Sequence, residues 1–173
     1  MPRSLVVCPV VVVDLIKELD RAERRPATYA VAYSAAGGSA LPAIVGPAPG
    51  RLTWTLPIPR GATFRARVAA SIAPIRVRVG VSDSRIYEQL ASAAVAPGAD
   101  WTVVTADLSA YAGWKLSLFY RPEGRPWRLN LSADAAGGRP AGVAWASPEI
   151  VASHAIALEY AARRDRLTRS GAP

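Results

Sequence analysis

Apolar and polar residues alternate with a period of two along most of this chain, which is the pattern of β-strands that place one face in a core. Turn residues separate the alternating segments at regular intervals, which favours a sandwich over a succession of strands and helices. We therefore expect an all-β fold, an antiparallel β-sandwich, with a core that includes Trp54, Leu56, Trp101, Leu116, Leu118 and Trp145. The predicted strands are residues 28–34, 51–58, 64–68, 75–79, 101–107, 114–120, 127–131 and a closing strand at 143–150.

A short capped turn joins two of these strands. Asp107 and Ser109 can accept hydrogen bonds from the backbone N–H groups that follow them, and Gly113 can adopt the left-handed conformation that ends a helical turn. In the strand that follows, apolar side chains occupy every second position of residues 114–120. This strand therefore has one face suited to a core.

These features together resemble a known group of domains. A strand that begins with Trp101, a D-L-S-x-Y-x-G turn, an apolar strand and a late A-W-x-x-P-E-I segment are similar to galactose-binding-like jelly-roll modules attached to bacterial sulfatases, glycoside hydrolases and envelope proteins. The resemblance is strongest over residues 50–151, and residues 13–26 resemble the lead-in to such modules. It implies a non-catalytic carbohydrate-binding or accessory role, in the cell envelope or in an exported protein.

Glycine and proline mark the segments predicted to be irregular. Gly37, Gly38 and residues 42–50 are typical of a long surface loop. We expect a loop or short helix at 88–96 and a loop at 133–142.

The two ends of the chain carry different patterns. An apolar stretch at residues 5–16 is too short to span a bilayer and fits a signal peptide poorly, so we expect an opening strand, followed by a helical or irregular polar segment. Residues 154–169 form a basic amphipathic pattern, and we expect a helix that packs back on the domain. Docking on a partner or a membrane surface, or a connection to a further domain, are the alternatives. The predicted divisions are 1–26 as lead-in, 27–152 as the sandwich and 153–173 as a helical tail.

The formal net charge is +8, and nearly all of the 21 basic residues are arginine. Arg65 and Arg67 alternate with apolar residues in one predicted strand, and Arg76 and Arg78 do so in the next. The alternation predicts rows of arginines on one outer sheet face. Guanidinium groups suit sulfate, carboxylate or phosphate, so this face is a candidate for an anionic glycan, a lipid headgroup or a protein partner. The alternative is a solvated surface. No motif for reading nucleic acid accompanies the charge.

A second candidate site is the segment VSDSRIYEQ. Tyr87 is expected to present a ring to a sugar, with Asp83 and Arg85 as hydrogen-bonding neighbours. The alternative interpretation is an ordinary polar connection between strands.

Catalytic chemistry finds little support in the sequence. His154 is the only histidine, and nucleotide-binding and zinc spacings are missing. Cys8 is the only cysteine, which excludes an intrachain disulfide, and the residues before it match a lipidation signal poorly. The resemblance implies a structural calcium site with Glu149 as a ligand, although calcium needs six to eight oxygen ligands and no acidic run supplies them. The alternative is that Glu149 caps a neighbouring backbone or meets solvent.

Two hypotheses of function follow. The first is a carbohydrate-binding module that keeps a larger protein near a glycan. The second is a structural or assembly subunit, whose sandwich and basic tail bind a protein partner or a membrane-associated complex. Binding of a defined polysaccharide by the domain distinguishes the first from the second.

Overall fold

A computed structural model describes residues 8–83, 86–111 and 127–169 of the chain, with the side chains of the last helix described as far as residue 162. These residues form strands in two sheets, two short 3-10 turns and one helix. The elements are β1 (Val10–Asp14), β2 (Glu23–Arg25), β3 (Ala30–Ala36), β4 (Ser39–Ala48), β5 (Gly50–Thr55), β6 (Thr63–Ser71), β7 (Ile75–Ser82), β8 (Tyr87–Val95), β9 (Thr102–Asp107), β10 (Arg128–Ala135), β11 (Ala141–Ala152) and α1 (His154–Arg169).

The strands form two antiparallel sheets. Sheet A has the order β3-β4-β11-β6-β9, with β1 also paired to β11, and sheet B has the order β2-β5-β10-β7-β8. Apolar side chains from both sheets meet in one buried core, so the sheets are the two layers of a sandwich. This architecture confirms the predicted all-β antiparallel fold.

The core follows from the alternation along the strands. Leu52 and Trp54 of β5 and Leu129 of β10 point inward from sheet B, and Phe64 and Trp145 point inward from sheet A. Each of these five side chains is at most 1% exposed. Because successive residues of a strand point to opposite faces, the residues between them form the outer surface of the sandwich.

The predicted core is confirmed in part. Trp54 and Trp145 are buried in it, and Leu56 is partly buried against it. Trp101 is different, since it packs against a separate group of alanines on the outer face of sheet A. The strand predicted at residues 114–120, with Leu116 and Leu118, lies outside the described residues.

Strand β11 changes partner along its length because of an irregularity at its centre. Residues 141–146 pair with β4, and residues 149–152 pair with β1. Between them, Ser147 has a positive φ of 46° and Pro148 has no N–H to donate. The Pro148 carbonyl instead accepts a hydrogen bond from the Leu15 N–H at 3.0 Å.

The first described residues therefore belong to the sandwich. Strand β1 extends sheet A beside β11, and β2 forms an edge of sheet B beside β5. Between these strands lies a 3-10 turn, Leu19–Arg21. Within the predicted lead-in, residues 1–26, β1 thus pairs in sheet A and β2 in sheet B, and the predicted division of the chain stays a prediction.

Two segments predicted to be irregular are strands. Residues 42–50 were expected to form a loop, but β4 covers most of them and pairs with both β3 and β11. Pro42 lies only in the ladder with β3 and Pro47 only in the ladder with β11, so neither interrupts a position that is paired on both sides. The alanine-rich residues 88–96 were expected to form a loop or helix, but β8 pairs along β7, because sheet pairing overrides a weak local preference.

The start of the capped turn after β9 is confirmed, whereas Gly113, predicted to end it, lies outside the described residues. The carboxylate of Asp107 accepts a hydrogen bond from the Ser109 N–H at 2.9 Å, at the start of the 3-10 turn Ser109–Tyr111. Hydrogen bonds from the Ser109 hydroxyl and then from its N–H hold the pKa of Asp107 below its usual value.

The C-terminal helix packs on the sandwich, as expected. Tyr160 is buried, and its hydroxyl donates a hydrogen bond to the Pro57 carbonyl at 3.3 Å. The same helix forms an ion pair with the domain, in which Glu159 Oε2 lies 3.3 Å from Arg60 Nη2. Within the described part of the chain, no helix has the length and apolar character needed to cross a bilayer.

Candidate functional site

The outer face of sheet A is largely filled by small side chains. Ala43, Ala69, Ala144 and Ala146 form a buried cluster there, and Trp101 packs against them. The Trp101 indole N–H donates a hydrogen bond to the Ser39 carbonyl at 3.0 Å, which holds the ring in place. This part of the face offers few polar groups to a ligand.

The outer face of sheet B is polar. In β10 the apolar residues Leu129, Leu131 and Ala133 enter the core, so Arg128, Asn130, Ser132 and Asp134 point outward. The same alternation turns Arg51 and Thr53 outward from β5, and Arg76, Arg78 and Ser82 outward from β7.

An open groove of about 580 Å³ crosses this face. Volumes of this size are typical of ligand sites. Residues from β2, β5, β7, β8 and β10 and from the connection before β5 form its walls and floor. The lining residues are Arg25, Pro49, Gly50, Arg51, Arg78, Tyr87, Gln89, Asn130, Ser132 and Asp134.

Tyr87 provides an aromatic surface in the groove. Its side chain is exposed, at 52% for the whole residue, and the end of its ring lies over Gly80 of the neighbouring strand. A Cβ atom on Gly80 would lie 2.5 Å from the Tyr87 Oη and 2.6 Å from its Cζ. The glycine therefore allows the ring to lie across the sheet instead of standing away from it.

A buried hydrogen-bond network forms the floor beside the ring. The Thr53 hydroxyl donates to the Asn130 Oδ1 at 2.9 Å, and the Asn130 Nδ2 donates to the Ser82 hydroxyl at 2.9 Å and to the Arg128 carbonyl at 3.2 Å. Thr53 is 7% exposed and Asn130 is 4% exposed. Because buried polar groups are costly to leave unpaired, this network fixes the positions of the side chains under the groove.

Positive charge dominates the groove lining. The lining contains three arginines, Arg25, Arg51 and Arg78, and a single carboxylate, that of Asp134. Asp134 accepts from the Arg78 Nη1 at 2.7 Å, and Arg25 pairs with Glu23 at 2.5 Å. Arg51 forms no ion pair within the part of the chain that the structure describes.

The predicted arginine rows do not share one face, and this part of the prediction is wrong. Arg65 and Arg67 lie on β6 in sheet A, whereas Arg76 and Arg78 lie on β7 in sheet B. The outer faces of two packed sheets point in opposite directions, so the pairs lie on opposite sides of the sandwich. Arg78 lines the groove, and Arg76 lies on the same face beside it.

The residues of the VSDSRIYEQ segment are divided between roles. Tyr87 lines the groove as an exposed ring. Asp83 closes the turn before β8: its carboxylate accepts from the Ile86 N–H at 2.8 Å, and its own N–H donates to the Ile86 carbonyl at 3.0 Å. Arg85 lies outside the described residues. Ligand binding by all three remains a prediction.

Glu149, the expected calcium ligand, lies on the outer face of sheet A. Its carboxylate accepts from the Arg65 Nε at 3.3 Å. Among the described residues, no group of three or more histidine, cysteine, aspartate or glutamate side chains comes together in a way that could hold a metal ion. Calcium binding at Glu149 remains a prediction. In the structure this carboxylate forms an ion pair with Arg65.

Several groove residues were not among the sequence candidates: Arg25, Arg51, Gln89, Asn130, Ser132 and Asp134. One signal for them exists in β10, where every second residue from 128 to 134 is polar while the residues between are apolar. A strand whose outer face is wholly polar and partly buried is a candidate for the floor of a binding groove. The arginines of β2 and β5 carry no such local signal.

No protein-family model matches the chain, and no curated protein matches its sequence. Solved structures do share its fold. The CBM22-1 xylan-binding domain from Paenibacillus barcinonensis Xyn10C matches 83% of this chain and 94% of its own, with a TM-score of 0.51 and 14% sequence identity. An exo-β-agarase matches 82% of this chain with a TM-score of 0.54 and 8% identity, and the matched part is 25% of that enzyme chain.

Other matches are also parts of longer chains. A structure of CBM51-2 and INT domains from Clostridium perfringens ZmpB matches 76% of this chain with a TM-score of 0.49 and 11% identity, and the chain spans 29% of it. The two matches with TM-scores above 0.5, at 8% and 14% identity, establish the fold alone. The chain has the jelly-roll fold of carbohydrate-binding modules, as its resemblance to galactose-binding-like domains implied.

Proposed function

We propose that this chain is a non-catalytic carbohydrate-binding module of an exported or envelope protein, and that its glycan lies in the groove on the outer face of sheet B. The observation that carries the proposal is the Tyr87 ring, held over Gly80 and exposed to solvent beside polar side chains of the groove. The shared fold with a xylan-binding module supports binding rather than catalysis as the role of the domain.

The chemistry of the groove suits a sugar. A sugar ring has an apolar face bordered by hydroxyl groups, so it needs an aromatic surface with hydrogen-bonding groups around it. Tyr87 supplies the surface, and Gln89 and Ser132 supply side-chain donors and acceptors at the groove wall. The hydrogen bonds of Asn130 to Thr53 and Ser82 limit the movement of the Asn130 side chain in the groove floor, which reduces the entropy lost on binding.

The test is retention of the chain by soluble polysaccharides in affinity electrophoresis, with a panel of neutral and acidic polymers. Tyr87→Ala should reduce affinity for the bound polymer by about tenfold, because the stacking surface is lost. Tyr33→Ala is the matched control, since Tyr33 is an exposed tyrosine, at 80%, on β3 of sheet A. Both variants should keep the thermal midpoint close to that of the parent chain.

Two outcomes contradict the proposal. If no polymer of the panel is retained, the chain is not a glycan-binding module of this kind, and the assembly-subunit hypothesis becomes the better account. If binding occurs but Tyr87→Ala and Tyr33→Ala weaken it equally, the groove on sheet B is not the site.

A further inference from the structure

The three groove arginines lie in one row across the strands of sheet B. In the strand register, Arg25 is paired with Arg51, Arg51 with Ser132, and Ser132 with Arg78. Neighbouring strands are about 4.8 Å apart, so the backbone positions of Arg51 and Arg78 are separated by about 10 Å and those of Arg25 and Arg78 by about 15 Å. The row therefore runs perpendicular to the strands, and all three of its arginines line the groove.

The acidic partners of this row are exposed and exchangeable. The side chains of Arg78 and Asp134 are 40% and 47% exposed, and those of Arg25 and Glu23 are 70% and 46% exposed. Ion pairs of this kind contribute little to stability, because solvent screens them. Both arginines can thus exchange a protein carboxylate for an anionic group of a ligand. Arg51, between them, has no ion-pair partner among the described residues.

A row of guanidinium groups favours a ligand with repeated anionic groups. Each guanidinium can hold a carboxylate or sulfate with two hydrogen bonds. A small anion can occupy one such position, but the length of the row matches a polymer that lies across the strands. Tyr87 is at the same face, with its ring end over Gly80, which is paired with Asn130 in the next row of residues. One ligand can therefore reach the ring and the arginines together.

We infer that the groove selects acidic glycans, whose sugars carry carboxylate or sulfate groups, over neutral ones, and that Arg25, Arg51 and Arg78 bind these groups along a chain laid across the strands. This inference rests on the proposed function and assigns the class of glycan to the same site.

The experiment compares matched polymers that differ in charge alone. Polygalacturonate is paired with its methyl ester, which tests carboxylates, and dextran sulfate is paired with dextran, which tests sulfates. The chain should bind at least one acidic polymer about tenfold or more tightly than its neutral counterpart. The polymer that is preferred identifies the anionic group.

Variants separate the row from the general positive charge of the chain. Arg51→Gln should weaken binding of the acidic polymer about tenfold, and Arg25→Gln gives a second test at the edge of the row. Arg67→Gln is the control, because Arg67 is an exposed strand arginine on the opposite face and, within the described residues, forms no ion pair. It should change affinity by less than about twofold, in line with a remote, screened charge.

The outcomes distinguish the inference from the proposed function. Tyr87-dependent binding with equal affinity for acidic and neutral polymers overturns the inference and leaves the proposed function in place. Equal losses in Arg51→Gln and Arg67→Gln, or equally tight binding of polyglutamate, show attraction by net charge and overturn the inference. Failure to bind any polymer refutes the proposed function itself.

Discussion

The substitution Gly80→Ala tests whether the position of the Tyr87 ring matters, while it leaves every ligand-facing side chain chemically unchanged. The new Cβ would lie 2.5 to 2.8 Å from the Oη, Cζ and Cε2 atoms of Tyr87. Carbon atoms pack at about 3.5–4.0 Å, so the end of the ring must move by about 1 Å. We expect Gly80→Ala to lose most of the stacking contribution, about 1 kcal/mol, which is about fivefold in Kd and less than the roughly tenfold expected of Tyr87→Ala.

The fold should tolerate this change. Alanine in a strand is favoured over glycine by about 0.5–1 kcal/mol, and the displaced ring is half exposed, so the free energy of unfolding should stay within about 1 kcal/mol of the parent value. For a chain of this size that is a shift in Tm of about 2–4 °C. Gly142→Ala, in sheet A, is the control, since the one short contact of its Cβ, at 2.2 Å, would be with the hydroxyl of the flexible Ser71 side chain, and its other contacts, at 3.6 and 3.8 Å, are of ordinary length.

Two measurements are needed, the affinity for the preferred polysaccharide and the proton NMR shift of Gly80. In the parent chain the α-protons of Gly80 should carry a ring-current shift that Tyr87→Ala removes. Unchanged affinity in Gly80→Ala, together with a clear displacement of the ring, would refute the stacking role. An unshifted Gly80 signal in the parent chain would show that the ring does not lie there.

Further predictions concern the sandwich that holds the groove. Trp145→Ala should cost about 3–5 kcal/mol in denaturant unfolding, because it leaves a cavity in the centre of the core, and a cost below about 1 kcal/mol would contradict its placement. Asn130→Ala should lower the free energy of unfolding by about 1–3 kcal/mol and also weaken glycan binding, because it leaves the buried Thr53 hydroxyl unpaired. An unchanged free energy in the same unfolding assay would show that water replaces the amide. Burial raises the pKa of Tyr29 to about 12, and a hydrogen bond to the Glu88 carboxylate raises that of Tyr111 to about 12. Since both pKa values are raised on folding, their stabilising contribution is complete below about pH 10 and is lost as the pH rises toward 12. Ultraviolet titration should show at least two tyrosines that ionise late, and ionisation of every tyrosine near pH 10 would contradict this.

The fold was predictable because the strand pattern depends on local alternation. Leu52 and Trp54, or Leu129 and Leu131, occupy every second position, and this spacing alone assigns them to a buried face. The prediction failed at β4 and β8, where proline and alanine weaken the local signal and the pairing partners decide the structure. These partners are distant in sequence, so no window of the chain contains the information.

The site depends on the same long-range information, and the two arginine pairs show why. Arg67 and Arg76 are close in sequence, but the connection between β6 and β7 passes from one sheet to the other, with Ile72 at a positive φ of 73° and a hydrogen bond from the Ala73 N–H to the Ser71 carbonyl. A hairpin would have placed both pairs on one face, and this corner places them on opposite faces.

The row of groove arginines shows the reverse relation, since its residues are distant in sequence and adjacent in the sheet. Arg25, Arg51, Arg78 and Ser132 are far apart in sequence, yet the strand order of sheet B aligns them in consecutive positions. A change of register by one residue in β5 would turn Arg51 into the core and Leu52 into the groove, because side chains alternate between the faces. Burial of Leu52 and Trp54 therefore fixes the register, and through the register it fixes the spacing of the arginines. The specificity that we infer for the groove is thus set by the packing of the core beneath it.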